Sequence, residues 1–229
     1  MPLTHRKGPP EPPPDPEDWR PQRFGHGSGR SMRDPIIEPS WSGVRVLARF
    51  DGSSTRLTDE DGVDCTTEFA PVAQAIAAAA LTGQFILDGY LTVEATQVAT
   101  GDPVGPVGTP TSGQMMAQMV GGSYVAQLVE PESRPDPDRP VAFVAVDLLQ
   151  IDDSKLLDIP LLERKRLLDG CIKPGDLVRI TPFVRPPIGS YVATWRGAGF
   201  DGLAYKGANS RYLPDARNDD WSITPMPMK

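Results

Sequence analysis

Apolar residues recur at every second position through Val44–Phe50 and Phe85–Val93, and β-branched and aromatic types are frequent in both runs. That alternation predicts two half-buried strands. Val141–Leu149 is apolar almost without a break, which predicts a strand buried on both faces. Pro71–Leu81 is rich in alanine and opens on a proline, a residue suited to the first turn of a helix. A second helix is predicted from Asp158, with Pro160 near its first turn, Leu161, Leu162, Leu167 and Leu168 on one side, and Gly170 as its stop. Leu177–Thr181, Leu203–Lys206 and Trp221–Thr224 read as shorter strands. Strands dominate and hairpin-like turns outnumber long crossovers, so the predicted class is α+β with mainly antiparallel sheets flanked by helices.

Proline and glycine punctuate this pattern. Residues 1–31 hold a dense series of prolines and no apolar periodicity, and are expected to be a disordered tail. Gly101–Gly113 and Glu130–Pro140 read as surface loops, and Met115, Met116 and Met119 between them sit at helical spacing, as core residues would. The expected globular domain is therefore residues 32–229. Composition narrows the chemistry. The chain has 229 residues, 39 % of them hydrophobic, with no apolar run near 18 residues and no apolar core in its leader. No membrane span, membrane partner or secretory signal is predicted, and a cytoplasmic protein is expected. Its two cysteines, Cys65 and Cys171, cannot form a disulfide framework and are expected to be inert thiols. Its two histidines, His5 and His26, both lie in the proline-rich leader, so no structural zinc is expected. The net charge of −7 weighs against a protein built to grip nucleic acid. Lysine is absent between Lys7 and Lys155.

Five short segments carry chemistry in a family-like order. They are Glu38-Pro39-Ser40-Trp41-Ser42-Gly43-Val44-Arg45, Leu87-Asp88-Gly89-Tyr90, Phe143-Val144-Ala145-Val146-Asp147-Leu148-Leu149, Asp201-Gly202-Leu203-Ala204-Tyr205-Lys206, and the segment opening at Trp221. Together with the Asp158–Leu168 helix and Ser210-Arg211-Tyr212, they resemble the adenylation (nucleotidyltransferase) domain of ATP-dependent DNA ligases over about residues 32–225. The resemblance implies the ATP-grasp-like nucleotidyltransferase fold of those enzymes. It also implies an ATP and magnesium site to which Glu38, Arg45, Asp88, Asp147, Asp201 and Lys206 would contribute, with Asp201 as the candidate metal ligand.

Departures from the family pattern fall on the chemistry. The position of the lysine that attacks the α-phosphate is Ser40, and the aspartate after it is Ser42. The glutamate of the second motif is Tyr90, the adenine-stacking aromatic of the third is Val146, and the two lysines of the last are Ile223 and Pro225. Loss of the nucleophile alone costs on the order of 10⁴–10⁶ in rate. Two lost phosphate contacts weaken triphosphate binding by roughly 10²–10⁴-fold. The expectation is a pseudo-ligase without catalytic residues, binding ATP and magnesium weakly and retaining a nucleotide-binding, DNA-end-binding or regulatory role. Its expected partners are nicked or broken DNA, held weakly, and a true ligase or DNA end-binding protein.

Two other readings stand beside this one. One is an active nucleotidyltransferase using Lys206 or Ser40 as nucleophile; the other is an interaction protein working through its proline-rich tail. Simpler roles also apply to single residues: Asp88-Gly89 as a turn, Arg45 as a surface ion pair, Lys206 as an exposed edge residue. Arg164, Lys165 and Arg166 could form a basic patch or a solvated helix face. The chain stops four residues after Pro225, so the OB-fold domain that follows in family ligases is expected to be absent.

Overall fold

A computed structural model describes residues 15–93 and 140–226. Its strands are β1 (Arg23–Gly25), β2 (Pro35–Pro39), β3 (Val44–Phe50), β4 (Thr55–Asp59), β5 (Phe85–Thr92), β6 (Ala142–Ile151), β7 (Ser154–Lys155), β8 (Val178–Ile180), β9 (Gly202–Gly207) and β10 (Arg217–Pro225). Its helices are α1 (Ala70–Ala79), α2 (Leu161–Cys171) and α3 (Gly189–Gly197). One sheet runs β4-β3-β5-β6-β7 with β8 alongside β6, and a four-stranded sheet runs β1-β10-β9-β2. Most pairings are antiparallel, as predicted; β1–β10 and β6–β8 are parallel.

The two-residue period of the strands decides what lies on each face. Val46, Ala48, Leu87, Phe143 and Leu148 join Val72, Ile76, Leu168 and Cys171 in one core cluster, so α1 and the end of α2 cover one face of the larger sheet. Their sequence neighbours Leu47, Ile86 and Leu149 belong to a different cluster with Ile36, Tyr212 and Trp221, which joins the larger sheet to the smaller. On the far side of the smaller sheet, Ile37, Leu203 and Tyr205 pack with Val192 and Trp195 of α3. The order is helices, sheet, sheet, helix.

The predicted strands and both predicted helices form, with shifted ends. Helix α1 ends at Ala79 because Ala80 turns extended and bridges Ile172. Helix α2 begins only at Leu161, since Pro160 holds an extended ψ of 139°. Strands β1, β2, β4 and β7 and helix α3 lie outside the predicted elements. The reading of residues 1–31 as a disordered tail is corrected for residues 15–31. Trp19 is fully buried between the sheets, the Gln22 amide donates to the Tyr212 hydroxyl at 2.8 Å, and β1 adds a strand to the smaller sheet. Proline density misled because two apolar anchors suffice to tie such a segment down. The Gly101–Gly113 loop, nearly all of Glu130–Pro140 and the three methionines lie outside the described residues.

Candidate functional site

Charged residues interrupt the period-two pattern at positions that face the gap between the sheets. On β3 these are Arg45 and Arg49, on β5 Asp88 and on β6 Asp147, with Glu38 and Lys206 from the smaller sheet; all are buried. Asp88 and Asp147 are direct cross-strand partners, a placement that repels unless each charge is neutralised. Each has its own arginine. Arg45 reaches Asp88 through Nε at 3.0 Å and Nη2 at 2.7 Å. Arg164 of α2 reaches Asp147 through Nε at 2.9 Å and Nη2 at 2.7 Å, and its Nη1 donates to the Ser210 carbonyl at 3.1 Å.

Beside these pairs, Glu38 holds two lysines, Lys165 of α2 and Lys206, the latter at 2.9 Å. The Lys206 ammonium also lies 4.2 Å from the centre of the Trp221 ring, a cation–π contact. Burial lowers the Lys206 pKa despite the opposing pull of Glu38. Burial also works against the charge of Arg45, but Asp88 overrides it and holds the guanidinium pKa well above its ordinary value. The Tyr212 hydroxyl donates to Asp88 at 2.8 Å, and burial followed by the Asp88 charge pushes its pKa well up.

The cavity at this gap is lined by Phe24, Glu38, Pro39, Ser40, Trp41, Tyr90, Val146, Ala204 and Lys206, and has a volume of about 10 Å³, the room of a single water. Aromatic side chains account for its size. Trp41 packs edge-on against Phe200 at 4.8 Å and donates its indole N–H to Thr181 at 2.8 Å. Phe24 and Tyr90 lie 5.4 and 5.6 Å from the Arg45 guanidinium. Register shifts between Asp88 and Gly89, so that Asp88 pairs with Asp147 and Gly89 with Ala145. Val146 is thereby the extra residue of a bulge, a device that re-aims a side chain. The lead segment turns into β3 at Gly43, where φ is 111° and a Cβ would come 2.2 Å from the Leu91 carbonyl, so only glycine fits.

The structure brings together five of the six predicted binding residues: Glu38, Arg45, Asp88, Asp147 and Lys206. It does not bring Asp201, which is exposed at the start of β9 and contributes its carbonyl to the Met226 amide at 2.6 Å. Three simpler readings are corrected. Asp88-Gly89 is inside β5 rather than a turn, Arg45 is buried rather than a surface residue, and Lys206 is covered on all sides rather than exposed at an edge. A basic patch on α2 is also overturned: Arg164 and Lys165 are buried in ion pairs, and the exposed Arg166 pairs with Glu163. The sequence reading missed Phe24, Trp19 and the ion-pair roles of Arg164 and Lys165. Trp19 and Phe24 are the only Phe, Trp or Tyr residues of the proline-rich leader, the signal that could have found them.

Adenine nucleotide and magnesium, which the resemblance implies, do not fit the side chains as arranged. The cavity takes no group larger than a water. Glu38, Asp88 and Asp147 are each engaged by internal cations, and no cluster of three His, Cys, Asp or Glu residues suited to a metal exists among the described residues. No helix among them is long and apolar enough to cross a membrane.

Comparison with known proteins places this geometry. The chain is 28 % identical over 208 residues to the multifunctional non-homologous end joining DNA repair protein LigD of Mycobacterium tuberculosis, covering 90 % of this chain and 24 % of LigD. It is 28 % identical over 186 residues to a DNA ligase of Natronomonas pharaonis, covering 81 % of this chain and 31 % of that one. The chain thus spans about a quarter to a third of these relatives. The ligase domain of M. tuberculosis LigD superposes with a TM-score of 0.62 at 22 % identity, over 92 % of this chain and 60 % of that domain. Chlorella virus DNA ligase-adenylate superposes at 0.52 with 12 % identity, over 91 % and 67 %. These two likenesses show the α+β nucleotidyltransferase fold of DNA ligases. A family profile described as the ATP dependent DNA ligase domain matches residues 29–222, and the chain belongs to that family.

Proposed function

We propose that this domain is a non-catalytic member of the DNA ligase family, a pseudo-ligase with a regulatory or end-binding role beside an intact ligase. The observation that carries the reading is the state of the cleft. Serine stands at the nucleophile position, and the charges that would serve a nucleotide are instead paired with one another. Transfer of AMP requires a nucleophile, cations on the departing pyrophosphate and a carboxylate-held metal. Ser40 offers no amine, Ile223 and Pro225 offer no cations, and Tyr90 replaces a carboxylate with a bulky ring.

DNA repair enters through the relatives, whose names include non-homologous end joining. Weak, salt-sensitive contact with a nicked or broken duplex fits a net charge of −7 and a helix α2 whose Arg164 and Lys165 are turned inward.

The deciding experiment incubates the protein with radiolabelled ATP and magnesium and resolves it by denaturing electrophoresis. No covalent AMP is expected on the wild type or on Ser40→Lys, because single repairs of a site that acts as a unit recover little. A labelled wild-type band overturns the proposal. One observation favours a second reading, an active transferase with a displaced nucleophile: the Lys206 amine borders the cavity and burial lowers its pKa. The Glu38 ion pair and the Trp221 ring occupy that amine and weigh against it. Label mapping to Lys206 would establish that reading.

A further inference from the structure

Of the buried carboxylates that face the gap between the sheets, Asp88 and Asp147 are each matched by one arginine, but Glu38 is matched by two lysines. We propose that Glu38, Lys165 and Lys206 form a proton-operated joint between the two sheets. With one lysine neutral, the joint holds β2 and β9 against α2; with both protonated, it loosens. This goes beyond the non-catalytic reading and does not depend on it.

Glu38 lies on β2 and Lys206 on β9, neighbours in the smaller sheet, whereas Lys165 comes from α2, which packs on the larger one. Lys165 binds Oε1 of the carboxylate, and Lys206 binds Oε2 at 2.9 Å. None of the three side chains is more than 2 % exposed. Asp88 and Asp147 offer no relief, because Arg45 and Arg164 each hold one of them through two hydrogen bonds. The cluster therefore buries one positive charge more than its carboxylate balances. A buried, unbalanced charge is costly enough that an amine gives up its proton instead.

Lys206 faces Glu38 from β2, Lys165 from α2, Asp147 from β6 and, at 4.2 Å, the Trp221 ring from β10. The Arg45 guanidinium of β3 lies 5.7 Å from the same ring, and Tyr90 of β5 borders the same cavity. Lys165 faces Glu38, the Phe183 ring at 5.8 Å and Asp169 of its own helix. Burial, reinforced by Lys165, lowers the Lys206 pKa from its ordinary 10.5 against the pull of Glu38 and Asp147. The unfolded chain keeps this proton up to 10.5, and the folded chain releases it at lower pH. The contribution of the joint to stability is thus whole above 10.5 and is lost as pH falls to the folded value.

The test uses the full chain, isotope-labelled at the lysine ε-carbons, and follows its six lysines by NMR titration. One resonance, identified by its absence from Lys206→Met, is expected to titrate at least about one pH unit below the ordinary lysine value. Lys165→Met leaves Glu38 to Lys206 alone and is expected to return that resonance to the ordinary range or above. Urea unfolding between about pH 7 and about pH 9.5 reads the joint itself. The wild-type unfolding constant is expected to fall as pH rises, by up to about tenfold per unit, and both methionine variants to give a flatter profile. Acrylamide quenching of tryptophan fluorescence is expected to grow in the wild type as pH falls through the same window, but not in Lys165→Met. Six wild-type lysines that titrate together, variants that keep the wild-type slope, or quenching that stays constant would each overturn the joint. If Lys206→Met does not fold, the resonance that Lys165→Met shifts identifies Lys206, and the wild-type titration decides.

Discussion

Arg164→Met tests whether the family-like aspartate of β6 now serves the fold. Arg164 and Asp147 are both fully buried and joined by two hydrogen bonds at 2.9 and 2.7 Å. Methionine keeps much of the apolar stem but removes every donor. It leaves a buried carboxylate opposite Asp88, and it deprives the Ser210 carbonyl of its Arg164 donor. Breaking a buried pair from one side costs about 3–5 kcal/mol, against about 5–15 kcal/mol for a whole domain. Urea denaturation followed by tryptophan fluorescence is expected to show a midpoint about 1–2 M lower. Arg164→Met combined with Asp147→Leu removes both charges and is expected to recover most of the loss, a coupling that a double-mutant cycle reads directly. A single variant that loses less than about 1 kcal/mol, or a double variant no better than the sum of its parts, would refute a structural role for the pair.

Trp19→Ala is expected to cost about 3–5 kcal/mol in thermal or urea unfolding, the price of emptying a fully buried site; a neutral result would return residues 15–22 to the status of a tail. Gly89→Ala places a Cβ 2.3 Å from the Phe143 ring and 2.5 Å from the Val144 carbonyl, and a loss of about 1–3 kcal/mol is expected by denaturant titration. Asp51 closes the β3–β4 turn by accepting from the Ser53 and Ser54 amides, both at 2.8 Å, and these bonds hold its carboxyl well below the usual range. Its contribution is therefore present above the unfolded carboxylate value near pH 4 and is lost as pH falls toward the lower folded value. The stability gap between wild type and Asp51→Asn should shrink from pH 7 to pH 3, and a constant gap would refute this origin. Arg166→Ala, which removes an exposed i,i+3 pair with Glu163, should change stability by less than about 0.5 kcal/mol and leave the salt dependence of DNA binding unaltered.

What the sequence alone determined is local and periodic. The alternation in Val44–Phe50 and Phe85–Val93, the apolar run of Val141–Leu149 and the two helices follow from which side chains can share a face. The five motif segments implied the finer fold only through their resemblance to the DNA ligase family. The proposal that the site is non-catalytic likewise rests on sequence, on Ser40, Tyr90 and Val146 at the motif positions, since side-chain chemistry belongs to the residue and not to its surroundings.

Only the tertiary structure decided what the surviving charges do. Arg45 and Asp88 are 43 residues apart, and Tyr212 and Asp88 124; nothing local distinguishes a phosphate-binding arginine from one locked onto a carboxylate. Lys165 reads as a solvated helix lysine until α2 packs it against Glu38. Phe24 and Trp19 sit among prolines that locally favour an extended, unpaired chain, and they are ordered by burial between two sheets whose strands lie up to two hundred residues away. The physical reason is the same in each case: backbone preference acts over a few residues, whereas burial and charge pairing act through contacts that exist only once the chain has folded.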